Sequence, residues 1–169
     1  MWIGLLWYFN FVQIPSMPNI PDNQKPAISK VIAPKALFWF RWAALATIIT
    51  GLSTAHLNGY LVNALTLGII DGSQKDTAIG IGMWLGLIMA YNVWFIIWPN
   101  QKIVIGLKEG DAGVAGPQAG LASRTNTLLS VPMLYFMVSS AHYPHGGYLF
   151  AGDISSNAFI VSIVLILAI

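Results

Sequence analysis

Cysteine is absent from this 169-residue chain, and charge is nearly so. Without a thiol there is no disulfide, no thiolate metal site, no iron–sulfur cluster and no CxxCH attachment of a c-type haem within it. Eight Lys or Arg and six Asp or Glu make up 8% of the residues, against roughly 25% in an ordinary soluble domain. No Walker A, GxSxG, HExxH or GxGxxG pattern occurs, so the signatures of phosphate-loop, nucleophile-elbow, zincin and dinucleotide-binding chemistry are missing. No acidic pair falls inside an apolar run, which leaves proton-coupled transport without support. The net charge of +2 and pI near 9.0 come from a few uncompensated lysines and do not point to nucleic acid.

What is there instead is apolar. Hydrophobic residues make up 56% of the chain and the mean hydropathy is +0.68, more apolar surface than so few polar groups could cover in water. Residues 77–98 run without a charge, and at about 1.5 Å per residue they reach roughly 33 Å, enough to cross a hydrocarbon core. Residues 36–57 are similar, broken only by Arg41. These patterns predict an all-α polytopic transmembrane bundle of about five membrane segments, with the lipid bilayer as its partner. The first (1–13) and last (154–169) segments look truncated, because the apolar runs start and stop without polar flanks. The whole of 1–169 reads as a single transmembrane domain, a fragment of a longer one, with no internal repeat and no soluble domain.

Between the segments lie punctuated links. Prolines at 15, 18, 21, 26 and 34 mark 14–35 as a loop, since each removes a donor and biases its predecessor toward extended backbone. Residues 25–33 could form a short interfacial helix with Pro26 in its first turn. The apolar stretch 61–70 is short and reads as interfacial or re-entrant. Pro99-Asn100 closes the third segment, and 101–126, with five glycines, reads as a flexible polar loop. The fourth segment is 127–142, with Pro132 as a kink.

Basic residues set the orientation. Lys25, Lys30 and Lys35 fall in the first link and Lys102, Lys108 and Arg124 in the third; the second has only Lys75, and the fourth has none. The rich links, 14–35 and 99–125, are therefore expected in the cytoplasm, and the chain in the cell membrane as a multi-pass protein.

This threading puts His56, His142 and His145 at one membrane face. Histidines at neighbouring helix ends are candidate ligands of a b-type haem or a metal, because imidazole offers a neutral nitrogen. His56 and His142 are the stronger pair; His145 is weaker, lying between Pro144 and Gly146-Gly147. The bland alternative is that all three simply face headgroups and water. Arg41, about five residues inside its segment, is expected to snorkel to the headgroups; its functional alternative is to bind an anion such as a haem propionate. Asn10, Gln13 and Asn92 are expected to hydrogen-bond across helix interfaces. Gly82, Gly86 and Ala90 form a small-residue stripe for close packing, and Trp39, Trp42, Trp84, Trp94 and Trp98 supply interfacial belt residues.

The strings WIGLLWYFNFVQ and MPNIP, then KVIAPKALFWFRWAALATIITG, GMWLGLIMAYNVWFIIWPNQK and SRTNTLLSVPMLYFMVSSAHYPH, resemble the membrane-embedded N-terminal domain of the cytochrome-c-linked urate oxidase family. The resemblance covers nearly the whole chain. It implies a multi-helix domain of a bacterial inner membrane that precedes a cytochrome c domain, together oxidising urate and passing electrons to the respiratory chain. It also implies a further histidine ahead of Trp2. Having no cysteine, this chain lacks the cytochrome portion, so its electrons need an external acceptor, a cytochrome c or a quinone. The leading expectation is an oxidoreductase part. The alternatives are a non-catalytic membrane subunit or scaffold and, with less support, a small-solute transporter.

The orientation is testable because the chain is free of cysteine. A Cys introduced at Ser29 should resist an impermeant maleimide applied outside intact cells and react once the membrane is opened. Labelling from outside would reverse the topology.

Overall fold

Three prolines that should end helices lie inside them. The computed structural model describes residues 1–70 and 73–142, in which every regular element is helical. We label these α1 (2–19), α2 (Ala27–Leu57), α3 (Leu61–Leu65), α4 (Gln74–Val104) and α5 (Ala112–His142). In α1, α2 and α4 a π-helical run stands just before a proline: Tyr8–Gln13 before Pro15, Ala27–Ile32 before Pro34, and Asn92–Ile97 before Pro99. An α-helical turn would drive the proline ring into the carbonyl four residues back. The widened turn relieves that clash: the residue before each proline donates to the carbonyl five residues back, Ile14 to Phe9, Ala33 to Ile28 and Trp98 to Val93.

This changes three expectations. The 14–35 link shrinks, because α1 continues to residue 19 and α2 begins at Ala27, merging the short helix expected there with the second segment. Pro99 does not close the third segment, which runs on to Val104. Residues 112–126 are helix rather than flexible loop. There Asp111 starts α5, its Oδ1 accepting the Gly113 amide at 2.7 Å, as an N-capping carboxylate does. The buried face of α5 is small: Ala115, Ala119, Ala122, Asn126 and Ser130, then Met133. The alanines of this stretch give the helix a small buried face that neighbours can approach closely.

Four of the helices close a ring in which α1 meets α2 and α5, and α4 meets α2 and α5. Their shared core is Trp2 and Leu6 of α1, Phe40 and Ala44 of α2, Met89, Val93 and Ile97 of α4, and Ala122 and Met133 of α5. Successive long helices are antiparallel. Phe9 meets Phe40 while Trp2 and Thr47 line one groove, and a Cβ on Gly82 would lie 3.1 Å from Met137 while one on Gly116 would lie 3.9 Å from Val104. The lysine-rich links are thereby brought to one end, as their charge pattern anticipated. Short α3 packs under α4, and a Cβ on Gly80 would collide with the Ala64 carbonyl. Of the expected glycine stripe, Gly82 is in tight contact, whereas Gly86 has only Ile48 at 4.0 Å.

Among the described residues two helices, α2 and α4, are long and apolar enough to cross a membrane. That is fewer than the five segments expected from hydropathy; the last of those, 154–169, lies outside the described residues. α5 has the same length of 31 residues, but its first half is the Gly-, Gln- and Arg-containing stretch that lowers its hydropathy.

The α3–α4 contact gives a clear contrast. Gly80→Ala should lower the thermal midpoint in detergent, followed by circular dichroism, because the Ala64 backbone cannot move aside. Gly51→Ala, which meets open space, should match or exceed the parent by about 0.5–1 kcal/mol, the helix preference of Ala over Gly.

Candidate functional site

Arg41 is covered by protein. Its residue is only 8% exposed, and its guanidinium carbon lies 3.4 Å from the centroid of the Trp98 ring. The Lys102 ammonium lies 5.5 Å from the same centroid. An indole face carries negative quadrupole density that attracts cations, so Trp98 is a platform for two charges rather than a belt residue. Lys102 is fixed by the end of its helix. Gly106 at φ 77 donates to Ile103 (3.1 Å) and Leu107 donates to Lys102 (2.8 Å), a Schellman cap in which glycine takes the left-handed position. Among the described residues the one ion pair is Lys25 with Asp22 at 2.7 Å, so neither Arg41 nor Lys102 has a carboxylate partner there.

Deeper in the bundle a row of side-chain amides and hydroxyls links the helices. Asn126, fully buried, donates from Nδ2 to the Met89 carbonyl (2.9 Å) and accepts on Oδ1 from Asn92 Nδ2 (2.8 Å). Asn10 Nδ2 donates to Ser123 Oγ (2.8 Å) and Trp7 Nε1 to Ser130 Oγ (2.9 Å). Asn10 and Asn92 thus bond across interfaces as the sequence suggests. Gln13 does not: its Oε1 is buried without a partner. Asn126 and Ser130 were missed, although their place on the apolar period of α5 was a usable signal once that helix is extended back to Ala112.

The histidine end is less enclosed. α2 terminates in another Schellman cap, with Gly59 (φ 77) donating to His56 at 3.0 Å and Tyr60 to Ala55 at 3.1 Å, which holds His56 on the last turn. Ala55 and Met83 share a small core against which Met137 packs. His56 adjoins Ala55, and His142 ends α5 five residues beyond Met137, so both lie at this end of the bundle. Both are exposed, and no hydrogen bond joins them. His145 lies outside the described residues. No group of three or more His, Cys, Asp or Glu suited to a metal occurs among the described residues. Arg41 and His56 share the continuous helix α2 and stand about 22 Å apart along it, too far for one small ligand.

Between the two ends runs a groove of about 490 Å³. Its walls include Trp2, Thr47, Thr50, Thr54, Tyr60 and Met83. The threonines return their hydroxyl protons to α2, Thr47 to Ala43 (2.7 Å), Thr50 to Ala46 (2.8 Å) and Thr54 to Thr50 (2.8 Å), leaving lone pairs toward the groove. Trp2 Nε1 is buried without a partner. Neither His56 nor His142 lines this space.

Among the described residues the chain is a helical bundle with two helices long and apolar enough to cross a membrane. Residues 69–169 match the family described as urate oxidase N-terminal, and the chain belongs to that family. The match takes in α4 and α5, with Asn92, Trp98, Lys102, Asn126 and His142, while α1 and α2 precede it. No curated protein and no solved structure matches.

Loss of the buried amide should be costly. Asn126→Ala leaves the Met89 carbonyl and Asn92 without their partner and should destabilise the folded state by about 1–2 kcal/mol, read as a shifted midpoint in denaturant titration of the micellar protein. Thr125→Ala should be near neutral, since that hydroxyl is exposed and bonds only within its own helix, to Leu121 at 3.0 Å.

Proposed function

We propose that this chain is the membrane-embedded part of a urate-oxidising enzyme, an oxidoreductase that delivers electrons to a separate acceptor, a cytochrome c or a quinone. The family match over 69–169 carries the reading. Support for the membrane setting comes from the length and composition of α2 and α4 and from large apolar side chains left exposed, Phe95 at 67% and Leu128 at 71% among them, a surface that water disfavours and lipid accepts. The multi-pass arrangement, with the lysine-rich end in the cytoplasm, follows the distribution of basic residues.

Electron accounting makes the acceptor obligatory. Oxidation of urate by one two-electron step releases two electrons, and a chain without cysteine holds no c-type haem to receive them. A b-type haem is the cofactor suggested by His56 and His142. The two imidazoles lie at one end of the bundle, but both are exposed and neither borders the groove. The described residues do not form an enclosed haem pocket around either histidine. What the chain's own residues offer is a cationic end, at Arg41 and Lys102, where an anion is favoured, and an apolar interior from which water is excluded.

The exposed setting of both histidines favours one second reading, a non-catalytic membrane subunit that anchors a redox partner. The two readings differ in an assay. Membranes carrying this chain, given urate and oxidised cytochrome c, should reduce the cytochrome; with oxygen alone, urate should persist. Steady urate loss without an added acceptor would overturn the need for one. Absence of urate-dependent reduction with both cytochrome c and quinone would leave the anchoring subunit. A Soret band abolished by His56→Ala and by His142→Ala would assign the haem; a colourless, active protein would return both histidines to the surface.

A further inference from the structure

The half of α2 nearer His56 carries a row of acceptors inside an apolar groove. Thr47, Thr50 and Thr54 are exposed, line the groove of about 490 Å³ and give their protons to carbonyls of their own helix. A hydroxyl has one proton and two acceptor sites, so each presents lone pairs to the space. Thr47 and Thr54 are two turns apart, about 10.5 Å of rise, with Thr50 between them. Gly51 lines the same groove, and a Cβ there would meet nothing within 4 Å; Gly86 of α4 lines it too, with only Ile48 at 4.0 Å. The two glycines leave room for a flat group, and Met83, Met133 and Met137 supply apolar, polarisable walls. A second groove, of about 510 Å³, shares Met1, Trp2, Thr47 and Thr50 with the first. It follows α2 past Ala46 and Ala43 to Trp42 and Trp39, roughly 16 Å of rise from Thr50.

A ligand that suits both grooves is a flat ring with hydroxyl donors at opposite ends and a long apolar tail. We propose that they bind a membrane quinol, its hydroxyls donated to Thr47 and Thr54 and its tail lying along Ala46 and Ala43 toward Trp39. Two opposed hydroxyls on a six-membered ring, with a hydrogen bond of about 2.7 Å at each end, span close to the length of the threonine row. A bare acyl chain has no donor to offer, and a lipid ester would set lone pair against lone pair. This selects the quinone from the two acceptors named above and rests on that reading for its electrons. Urate that takes up the oxygen of one water loses two electrons and two protons; a 1,4-quinone takes up both pairs, its two carbonyls becoming the two hydroxyls. Threonines bonded to their own helix accept from those hydroxyls but offer no proton to a carbonyl, so the reduced ring is held more tightly than the oxidised one. Tighter binding of the reduced form raises the potential of the bound couple, by about 30 mV for a tenfold preference.

The test uses the full chain in phosphatidylcholine nanodiscs under nitrogen, with radiolabelled decylubiquinol and decylubiquinone as probes and empty discs subtracted. Quinol should bind saturably and about tenfold more tightly than quinone. Thr47→Val and Thr54→Val should each weaken quinol binding about fivefold, the loss of one hydrogen bond, and change quinone binding little. Thr125→Val, which removes a hydroxyl bonded in the same way on α5 but outside the groove, should leave both unchanged. Gly51→Leu should block both forms; if it loses its helical circular dichroism, the threonine variants decide the matter. Absence of saturable binding, equal affinity for the two forms, or quinol binding untouched by both threonine variants overturns the site. Displacement of quinol by an equal concentration of decanol would identify a groove for alkyl chains and overturn the ring site. Quinol binding without urate-dependent quinone reduction refutes the urate reading and leaves the site; urate-dependent reduction without saturable binding refutes the site alone.

Discussion

The Asn126 amide ties α5 to α4 at the point where α4 is about to widen, and the arrangement of the bundle depends on that tie. A fully buried amide costs free energy unless all its groups are engaged. Here the carbonyl of Met89 and the amide of Asn92 engage it from both sides. The pairing sets the register of the two helices in closest contact. From there α5 offers Ser123 and Ser130 to Asn10 and Trp7 of α1, and α4 presents Trp98 to Arg41 of α2. In an apolar surround, where burying hydrocarbon against hydrocarbon gains little, such bonds and the close approach of small residues carry the specificity that a hydrophobic core supplies in water.

Charge is arranged with the same economy. The described part of the chain places two cations on one indole and no carboxylate beside them, while the opposite end carries His56 and His142 on exposed final turns. The described part is therefore polarised along its axis, with most Lys and Arg toward one end and Lys75 with Asp76 at the other. A negatively charged molecule would feel that asymmetry before making any contact.

The helical class, the places of α2 and α4 and the side on which lysines gather were legible in the sequence, because hydropathy and charge are summed over many residues and survive local irregularity. Proline was misleading. At positions 34 and 99 it reads as a stop, since a regular turn cannot hold its ring, and nothing local reveals that a π-turn will be inserted ahead of it. The reach of α5 was hidden for a related reason: Gly113, Gly116 and Gly120 are poor helix formers, and the helix through them rests on the buried face of Ala115, Ala119 and Ala122. Arg41 was found as an anomaly but its partner was not, because Trp98 is distant in sequence and resembles any interfacial tryptophan. His56 and His142 could be placed at one end of the bundle, but their enclosure depends on packing that the pattern does not encode.

A π-turn is, in effect, one surplus residue accommodated within a helix, and it acts on α4 as a phase shifter. Everything beyond Ile97 is turned by about 100° relative to an uninterrupted α-helix. Trp98 therefore meets Arg41 of α2 only because the surplus residue is there. Closing that turn into regular α-helix with every residue retained would carry Trp98 to another bearing and leave Arg41 with no ring beneath it, whereas deleting one residue of Asn92–Ile97 together with the turn would keep Trp98 where it is. In this chain the irregular turn is what puts the two cations in the same place.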